Sequence, residues 1–465
     1  MELSRRVFLA RSAASVGLGF AGLRALSGAP ALAGVHGASA PGFGPLRRDP
    51  AGVLDLPEGF TYRVISRFGE MMDDGLITPG LPDGMAAYPG PDATTLLVRN
   101  HELEPHWTRY GAFGEDNERL TDEHRELGFD LVGRQPSQGG TTTLWYDHRA
   151  GALKGQWLSL AGTNRNCAGG PTPWGTWLTC EEDTMRAGQR GRKDHGWVFE
   201  VPATHDRTLH KAEPIKAMGR FYREAVAVDA RTGIVYMTED LGDAAFYRYI
   251  PTKPGNLHAG GKLQALRVIG SRGSFDTRNW GDSPSVRVGE RLRVEWVDLD
   301  DVESPRDDLR TRARHDHGCA VFARTEGIWA GDDAVYIGCT SGGREKAGQI
   351  WKYRASPHEG TARESGAPAV LELFIEPNDP DLVENADNLV AAPWGDLIVC
   401  EDARDDQHLV GVTPAGKLYR VAHNALSDSE FAGACFSPDG TTLFVNIQRE
   451  GLTIAIQGPW DSRRA

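Results

Sequence analysis

The stretch from Asn164 to Glu182 combines a thiol with carboxylates at a spacing that could hold a metal ion. It reads Asn-Arg-Asn-Cys-Ala-Gly-Gly-Pro-Thr-Pro-Trp-Gly-Thr-Trp-Leu-Thr-Cys-Glu-Glu. The turn residues Pro173-Trp174-Gly175 precede an alternating run, Thr176 to Thr179, which is the pattern of a β-hairpin. Cys167 opens the first strand and Glu182 follows the second. In an antiparallel pair those two ends coincide, so Cys167 and Glu182 converge on one end of a sheet. A thiolate beside a carboxylate suits a metal. The plain alternative is an ordinary hairpin with a buried strand cysteine and two solvated carboxylates, and the rest of the chain bears on which holds.

The pattern recurs six times. Turns of similar type, among them Pro91-Asp92, Gly331-Asp332-Asp333, Pro393-Trp394-Gly395 and Pro438-Asp439-Gly440, each precede an alternating apolar strand. The first strands begin at Asp83-Gly84, Asn166-Cys167, Arg223-Glu224, Arg324-Thr325-Glu326, Asp387-Asn388 and Gly433-Ala434. The second strands end at Asn100-His101-Glu102, Glu181-Glu182, Glu239-Asp240, Thr340-Ser341, Glu401-Asp402 and Asn446. Six such hairpins, with further strands between them, predict an all-β fold, a six-bladed β-propeller with inserted loop and helical segments. A β-sandwich with long loops is the competing architecture. The insertions are expected at Arg109 to Ser137 and between Arg272 and Arg314.

In a propeller the innermost strands start near one face of the central channel, so these side chains are gathered from across the sequence. So many carboxylates in one channel would repel one another unless cations shared the space. Numerous oxygen ligands suit calcium or magnesium, and a single thiolate adds a softer metal such as iron. Arg324 stands two residues before Glu326, on the same side of its strand. Beside cations it could grip an anion such as phosphate, or it could pair with a neighbouring carboxylate. His315-Asp316-His317 has the look of a metal motif but also of a surface loop. The sequence has no Gly-rich phosphate loop, no Gly-x-Ser-x-Gly elbow and no His-Glu-x-x-His pair, which leaves those hydrolase classes without support.

The 465 residues carry a formal charge of −13. Ser4-Arg5-Arg6-Val7-Phe8-Leu9-Ala10, followed by a weakly apolar stretch to Leu26, has the form of a twin-arginine export signal over residues 1–33, with cleavage expected after Ala33 and Ala38-Ser39-Ala40 as a second candidate site. Its removal deletes Arg5, Arg6, Arg11 and Arg24 against Glu2, so the charge becomes −13 − 3 = −16. An acidic body of this kind argues against nucleic acid or an anionic membrane as a general partner. Residues 34–55, rich in Gly, Pro and Ala, read as a linker or covering arm, and residues 56–460 as a single propeller domain. The six cysteines lack zinc-site spacing, and buried thiols with at most one bonded pair are expected.

At these residues the sequence resembles the PhoX-type alkaline phosphatases, which are exported by the twin-arginine route. The resemblance rests on Asn166-Cys167-Ala168-Gly169-Gly170 through Cys180-Glu181-Glu182, on Asn100-His101-Glu102, and on Glu224 with Tyr236-Met237-Thr238-Glu239-Asp240. Arg324-Thr325-Glu326-Gly327, and Asp387-Asn388-Leu389 with Glu401-Asp402, extend it. It implies a six-bladed propeller whose channel holds ferric iron (Fe3+) with calcium (Ca2+) nearby, hydrolysing small-molecule phosphomonoesters in the periplasm or outside the cell. It further implies that Cys167, Glu182, Glu224 and Glu326 are cluster ligands. Asp387 and Glu401 would be further ligands, to calcium, and Arg324 the phosphate-gripping residue. The twin-arginine export machinery is then a transient partner. Two other readings keep the propeller: a calcium-dependent lactonase, and a non-catalytic calcium-stabilised binding module. The thiolate and Arg324 speak against the lactonase. The chain is shorter than the larger members and carries His-Asp-His ahead of Cys319, which bears on the substrate rim.

Overall fold

The alternating apolar runs between Gly- and Pro-containing turns fold as hairpins in a computed structural model that describes residues 42–133 and 135–463. The expected export signal lies outside the described residues, as does the start of the expected arm. Six hairpins form the frame of the molecule. They are β1 (Pro82–Pro89) with β2 (Thr95–His101), β3 (Asn166–Pro171) with β4 (Thr176–Glu181), and β5 (Arg223–Val228) with β6 (Val235–Glu239). The remaining three are β7 (Thr325–Ala330) with β8 (Val335–Cys339), β9 (Ala386–Ala391) with β10 (Leu397–Glu401), and β11 (Phe431–Phe436) with β12 (Thr442–Ile447). The first strand of each hairpin packs against the first strand of the next, and β11 returns to β1, closing a ring about one axis. That arrangement is a propeller. Apolar side chains such as Val98, Leu178, Val226, Ile337, Val399 and Val445 fill the space between neighbouring sheets.

Hydrogen bonding groups the strands into five sheets, not the six separate ones expected. The cause is the insertion after Arg272. It contributes a strand, Arg291–Asp298, that pairs with Gly261–Val268 on one side and Ala369–Ile375 on the other. One strand satisfying two edges joins the β5–β6 and β7–β8 groups into a nine-stranded sheet. The same insertion ends in a short helix, Leu309–His315. The other expected insertion, near Arg109 to Ser137, contains a 3-10 turn and the helix Asp122–Leu127, begun by a capping box on Thr121.

The segment expected as linker or arm is, over its described part, sheet structure. Leu46–Arg47 pairs with Leu54–Pro57, which pairs in turn with the outer strand Leu418–Asn424. Asp49 fixes the bend between them by accepting hydrogen bonds from the backbone N–H of Ala51, Val53 and Leu54 and from the Tyr62 hydroxyl. Phe43 packs edge-on against Phe60, Trp394, Tyr419 and Trp460. Thr61–Arg67 then pairs with the C-terminal strand Leu452–Gln457, so one sheet is built from both ends of the domain. All six cysteines are buried with free thiols and no pair is bonded.

Candidate metal centre

Each inner strand breaks register with its partner at the same place. In β1 the pairs Pro82/His101 and Met85/Arg99 leave two residues, Asp83 and Gly84, opposite one. The other five repeat this two-against-one bulge, at Cys167-Ala168, Glu224-Ala225, Glu326-Gly327, Asp387-Asn388 and Gly433-Ala434. A bulge re-aims a side chain that regular pleating would send elsewhere. Here the first bulged residue supplies the ligand type in five of six repeats: Asp83, Cys167, Glu224, Glu326 and Asp387. The second is small in most repeats, because neighbouring inner strands nearly touch. A Cβ on Gly84 would lie 2.6 Å from the Ala168 Cα, and one on Gly327 would lie 2.4 Å from the Asp387 carbonyl oxygen.

A second ring follows from the strand ends. The residue just past each second strand donates its backbone N–H to the carbonyl of the residue that directly precedes the inner strand of the same hairpin. The six pairs are Glu102 to Leu81 (3.0 Å), Glu182 to Arg165 (3.0 Å), Asp240 to Tyr222 (3.2 Å), Thr340 to Arg324 (3.1 Å), Asp402 to Asn385 (3.1 Å) and Gln448 to Glu430 (3.3 Å). The two rings meet. Asp83, Glu102 and Cys167 bring one ligand atom each within 4.8 Å of one another, as do Cys167, Glu182 and Glu224, and Glu224, Glu326 and Asp387. Cys167 and Glu224 belong to two groups each, so seven side chains form one continuous set.

Five of the six residues expected as ligands are therefore brought together: Cys167, Glu182, Glu224, Glu326 and Asp387. Glu401 is not in these groups. It shares its register with Glu181 and Glu239, and all three are occupied in tying down the loops that follow their strands. Glu401 accepts from the backbone N–H of Glu384 and His408 and from Arg420 (2.9 Å). Glu181 accepts from the backbone N–H of Asn164, Gly196 and Trp197 and sits 2.6 Å from His195. Glu239 accepts from the Ala245 N–H, the Tyr247 hydroxyl and Arg310. Within each Glu-Glu, Glu-Asp or Glu-Asp pair the second residue holds the ring position, so Asp402 rather than Glu401 stands where Glu182 does. Asp83 and Glu102 complete the set and were not among the expected ligands. Their signal was positional, since each occupies the same place in its repeat as Cys167 and Glu182. His315-Asp316-His317 lies in a surface cleft with Arg267, Glu295 and Arg314, outside all three groups.

The electrostatics of the seven are those of a cation site. Burial pushes the carboxyls of Asp83, Glu182, Glu224, Glu326 and Asp387 well above the usual carboxylate range, and each is raised further by its acidic neighbours. Burial likewise raises the Cys167 thiol, with Asp83 and Glu224 adding to it. Both carboxylate oxygens of Glu224, and one of Asp83, are buried without a hydrogen-bond partner among the described residues. Burying an unsatisfied carboxylate costs several kcal/mol unless it is neutralised, so ionisation here requires positive charge in the channel. Mixed oxygen and thiolate donors fit calcium together with a softer metal. Arg324 supplies some charge, with its Nε and Nη2 on Asp240 (2.7 and 2.9 Å) and Nη2 on Glu326 (2.6 Å). Of the two uses expected of it, the carboxylate pair is present, and the guanidinium stays partly exposed.

With this geometry in hand, comparison with known families is decisive: the model for alkaline phosphatase PhoX matches residues 41–451. The chain belongs to the PhoX alkaline phosphatase family. It is accordingly a metal-dependent phosphomonoesterase, a phosphoric monoester hydrolase. Among solved structures, Pseudomonas fluorescens PhoX in complex with vanadate, a transition-state analogue, aligns with TM-score 0.62 at 18% identity, covering 88% of this chain and 96% of that one. That likeness fixes the PhoX propeller fold. A gluconolactonase from Xanthomonas campestris aligns with TM-score 0.40 at 11% identity over 86% of this chain and 98% of that one, too low to bear on function. A comparison with curated protein sequences gave no match.

Proposed function

We propose that phosphate monoesters are hydrolysed at the axial cluster, with Cys167, Glu182, Glu224 and Glu326 holding ferric iron and Asp387, Asp83 and Glu102 completing the cation sites, calcium among them. The observation that supports this most directly is Glu224, a fully buried carboxylate with no hydrogen-bond partner among the described residues, within reach of both Cys167 and Glu326. Glu401 is left out of the ligand set, because its oxygens serve Arg420 and two backbone N–H groups.

Bound cations supply the positive charge that phosphoryl transfer to water demands. The chain's own residues bind and orient. Arg324 presents its guanidinium to the phosphoryl oxygens, held in place by Asp240 through Nε and Nη2. The Thr340 hydroxyl donates to Glu326 Oε1 (2.9 Å), fixing which oxygen faces the cluster. Asn100 and Trp177 brace the Cys167 loop from behind, Asn100 Nδ2 donating to the carbonyls of Cys167 (3.2 Å) and Ala168 (2.8 Å) while Trp177 Nε1 donates to Asn100 Oδ1.

Elemental analysis of the purified protein, with assay of a chromogenic phosphate monoester before and after chelation, tests this reading. Iron and calcium are expected, and activity lost on chelation should return with both. Calcium without iron would remove iron from the proposal. Export by the twin-arginine route is part of the same proposal, supported by Arg5-Arg6 in its setting. Among the described residues no helix is long and apolar enough to cross a membrane. Replacing Arg5 and Arg6 by Lys should strand the enzyme in the cytoplasm, and secretion at the normal level would contradict it.

A further inference from the structure

We propose that Arg165 is a second anion-binding residue of this centre, the structural counterpart of Arg324, and that both guanidiniums close on the phosphoryl group of the substrate. This rests on the reading of Arg324 given above.

The two arginines occupy the same position in different repeats. Each directly precedes a bulged inner strand, and each offers its carbonyl to the N–H of the residue past its own hairpin, Glu182 for Arg165 and Thr340 for Arg324. Each is in the left-handed region, at φ +43° for Arg165 and +51° for Arg324. That conformation is strained for a non-glycine residue, so both positions share an uncommon backbone geometry.

From that shared position the two side chains make matching contacts. Each reaches back to the carboxylate just past the preceding hairpin, Arg165 Nη2 to Glu102 (2.7 Å) and Arg324 to Asp240 (2.7 Å). Each also touches a cluster carboxylate of its own repeat, Arg165 Nη2 to Glu182 (2.6 Å) and Arg324 Nη2 to Glu326 (2.6 Å). The two keep comparable exposure, 25% and 36% of the side chain.

Only Tyr222 stands between them in the ring, its phenol ring 5.9 Å from the Arg165 Cζ. The other ring positions, Leu81, Asn385 and Glu430, carry no positive charge. The cationic part of the rim is therefore the arc from Arg165 to Arg324, beside the Cys167–Glu182–Glu224 group. A tetrahedral dianion offers more oxygens than one guanidinium can engage, and each arginine has its Nη1 outside the bonds to Glu102, Glu182, Asp240 and Glu326, so that one charged donor can approach the dianion from each side.

The competing role is that Arg165 serves only as counter-charge for Glu102, Glu104 and Glu182. Binding of inorganic phosphate to the metal-loaded enzyme separates the two, read by calorimetry and by competitive inhibition, with metal content measured in parallel. In Arg165→Ala, unchanged iron and calcium are expected with phosphate affinity lowered at least tenfold, KM raised more than kcat falls, and partial recovery on adding guanidinium. Arg165→Lys, which keeps the charge but not the fork, should fall between, and it carries the comparison if the alanine variant does not fold. Unaltered phosphate affinity in both variants, beside a weakened Arg324→Ala, would overturn the proposal and leave the reading of Arg324 intact. Unaltered affinity in Arg324→Ala as well would remove that reading and this proposal with it. Loss of bound metal from both Arg165 variants would make Arg165 a structural counter-charge and equally overturn it.

Discussion

Individual side chains at this centre have separable duties, and substitutions should separate them. Cys167→Ala and Glu326→Gln each remove a proposed ligand, so both should abolish ester hydrolysis and lower bound iron, and full activity in either would end its assignment. Glu401→Gln makes a sharp contrast. It leaves the metal content intact but weakens the bonds to Arg420 and the His408 and Glu384 N–H groups, at a cost of about 1–3 kcal/mol visible as a lower Tm. If Glu401→Gln instead lost calcium at unchanged Tm, Glu401 would return to the ligand set. His195 gives a pH signature. Burial alone would lower its pKa, but Glu181 and hydrogen bonds to Asp130 and Glu181 push it up to about 9. A folded pKa above the unfolded value of about 6.5 means stability present in full below pH ~6.5 and lost as pH rises through about 9, on the order of 3 kcal/mol in all. Thermal melts of wild type and His195→Gln should therefore converge between pH 7 and 10, and a constant gap would refute it.

At the scale of the hairpin, the repeated bulge places the ligands, so its backbone should tolerate little change. Gly433 is the one first-bulge position without a side chain, and its geometry says why. At φ +63°, a Cβ would sit 2.2 Å from the Asp83 carbonyl oxygen and 2.8 Å from the Asn446 side chain. Gly433→Ala should cost well over about 1 kcal/mol and displace Asp83, reducing metal binding. Gly395→Ala, at φ +93° in a turn with no atom within 4 Å of the added Cβ, should cost less and leave metal untouched. Equal losses of metal in the two would show that backbone strain, not crowding at the axis, is responsible. This much was open to reading, because turn residues and alternation located the hairpins. The bulges were not, since a two-against-one register exists only relative to a partner strand. That is also why the expected ligand was Glu401 and not Asp402: one residue of register decides which of them stands at the ring.

For the whole molecule the governing fact is that one channel collects acidic groups from all around a closed ring. Without cations, carboxyls with raised folded pKa stabilise the protein only while protonated, so stability is present at low pH and lost as pH rises above the ordinary carboxylate range. Chelated protein should accordingly melt progressively lower from pH 5 to pH 9, while the metal-loaded protein changes far less. Parallel shifts in the two would mean that the cluster holds no cation. Composition and period by themselves determined an all-β repeat with acidic strand ends, and the Asn166 to Glu182 motif pointed to the family, because alternation, turn chemistry and ligand types are local properties of the chain. Tertiary structure alone decided that Asp83 and Glu102 join the set, that Arg291–Asp298 stitches two repeats into one sheet, and that the described part of the Gly-rich arm holds a strand pair beside Phe43. Each of these is a pairing between residues far apart in sequence, fixed by closure of the ring, and no local pattern records which distant edge a strand will find.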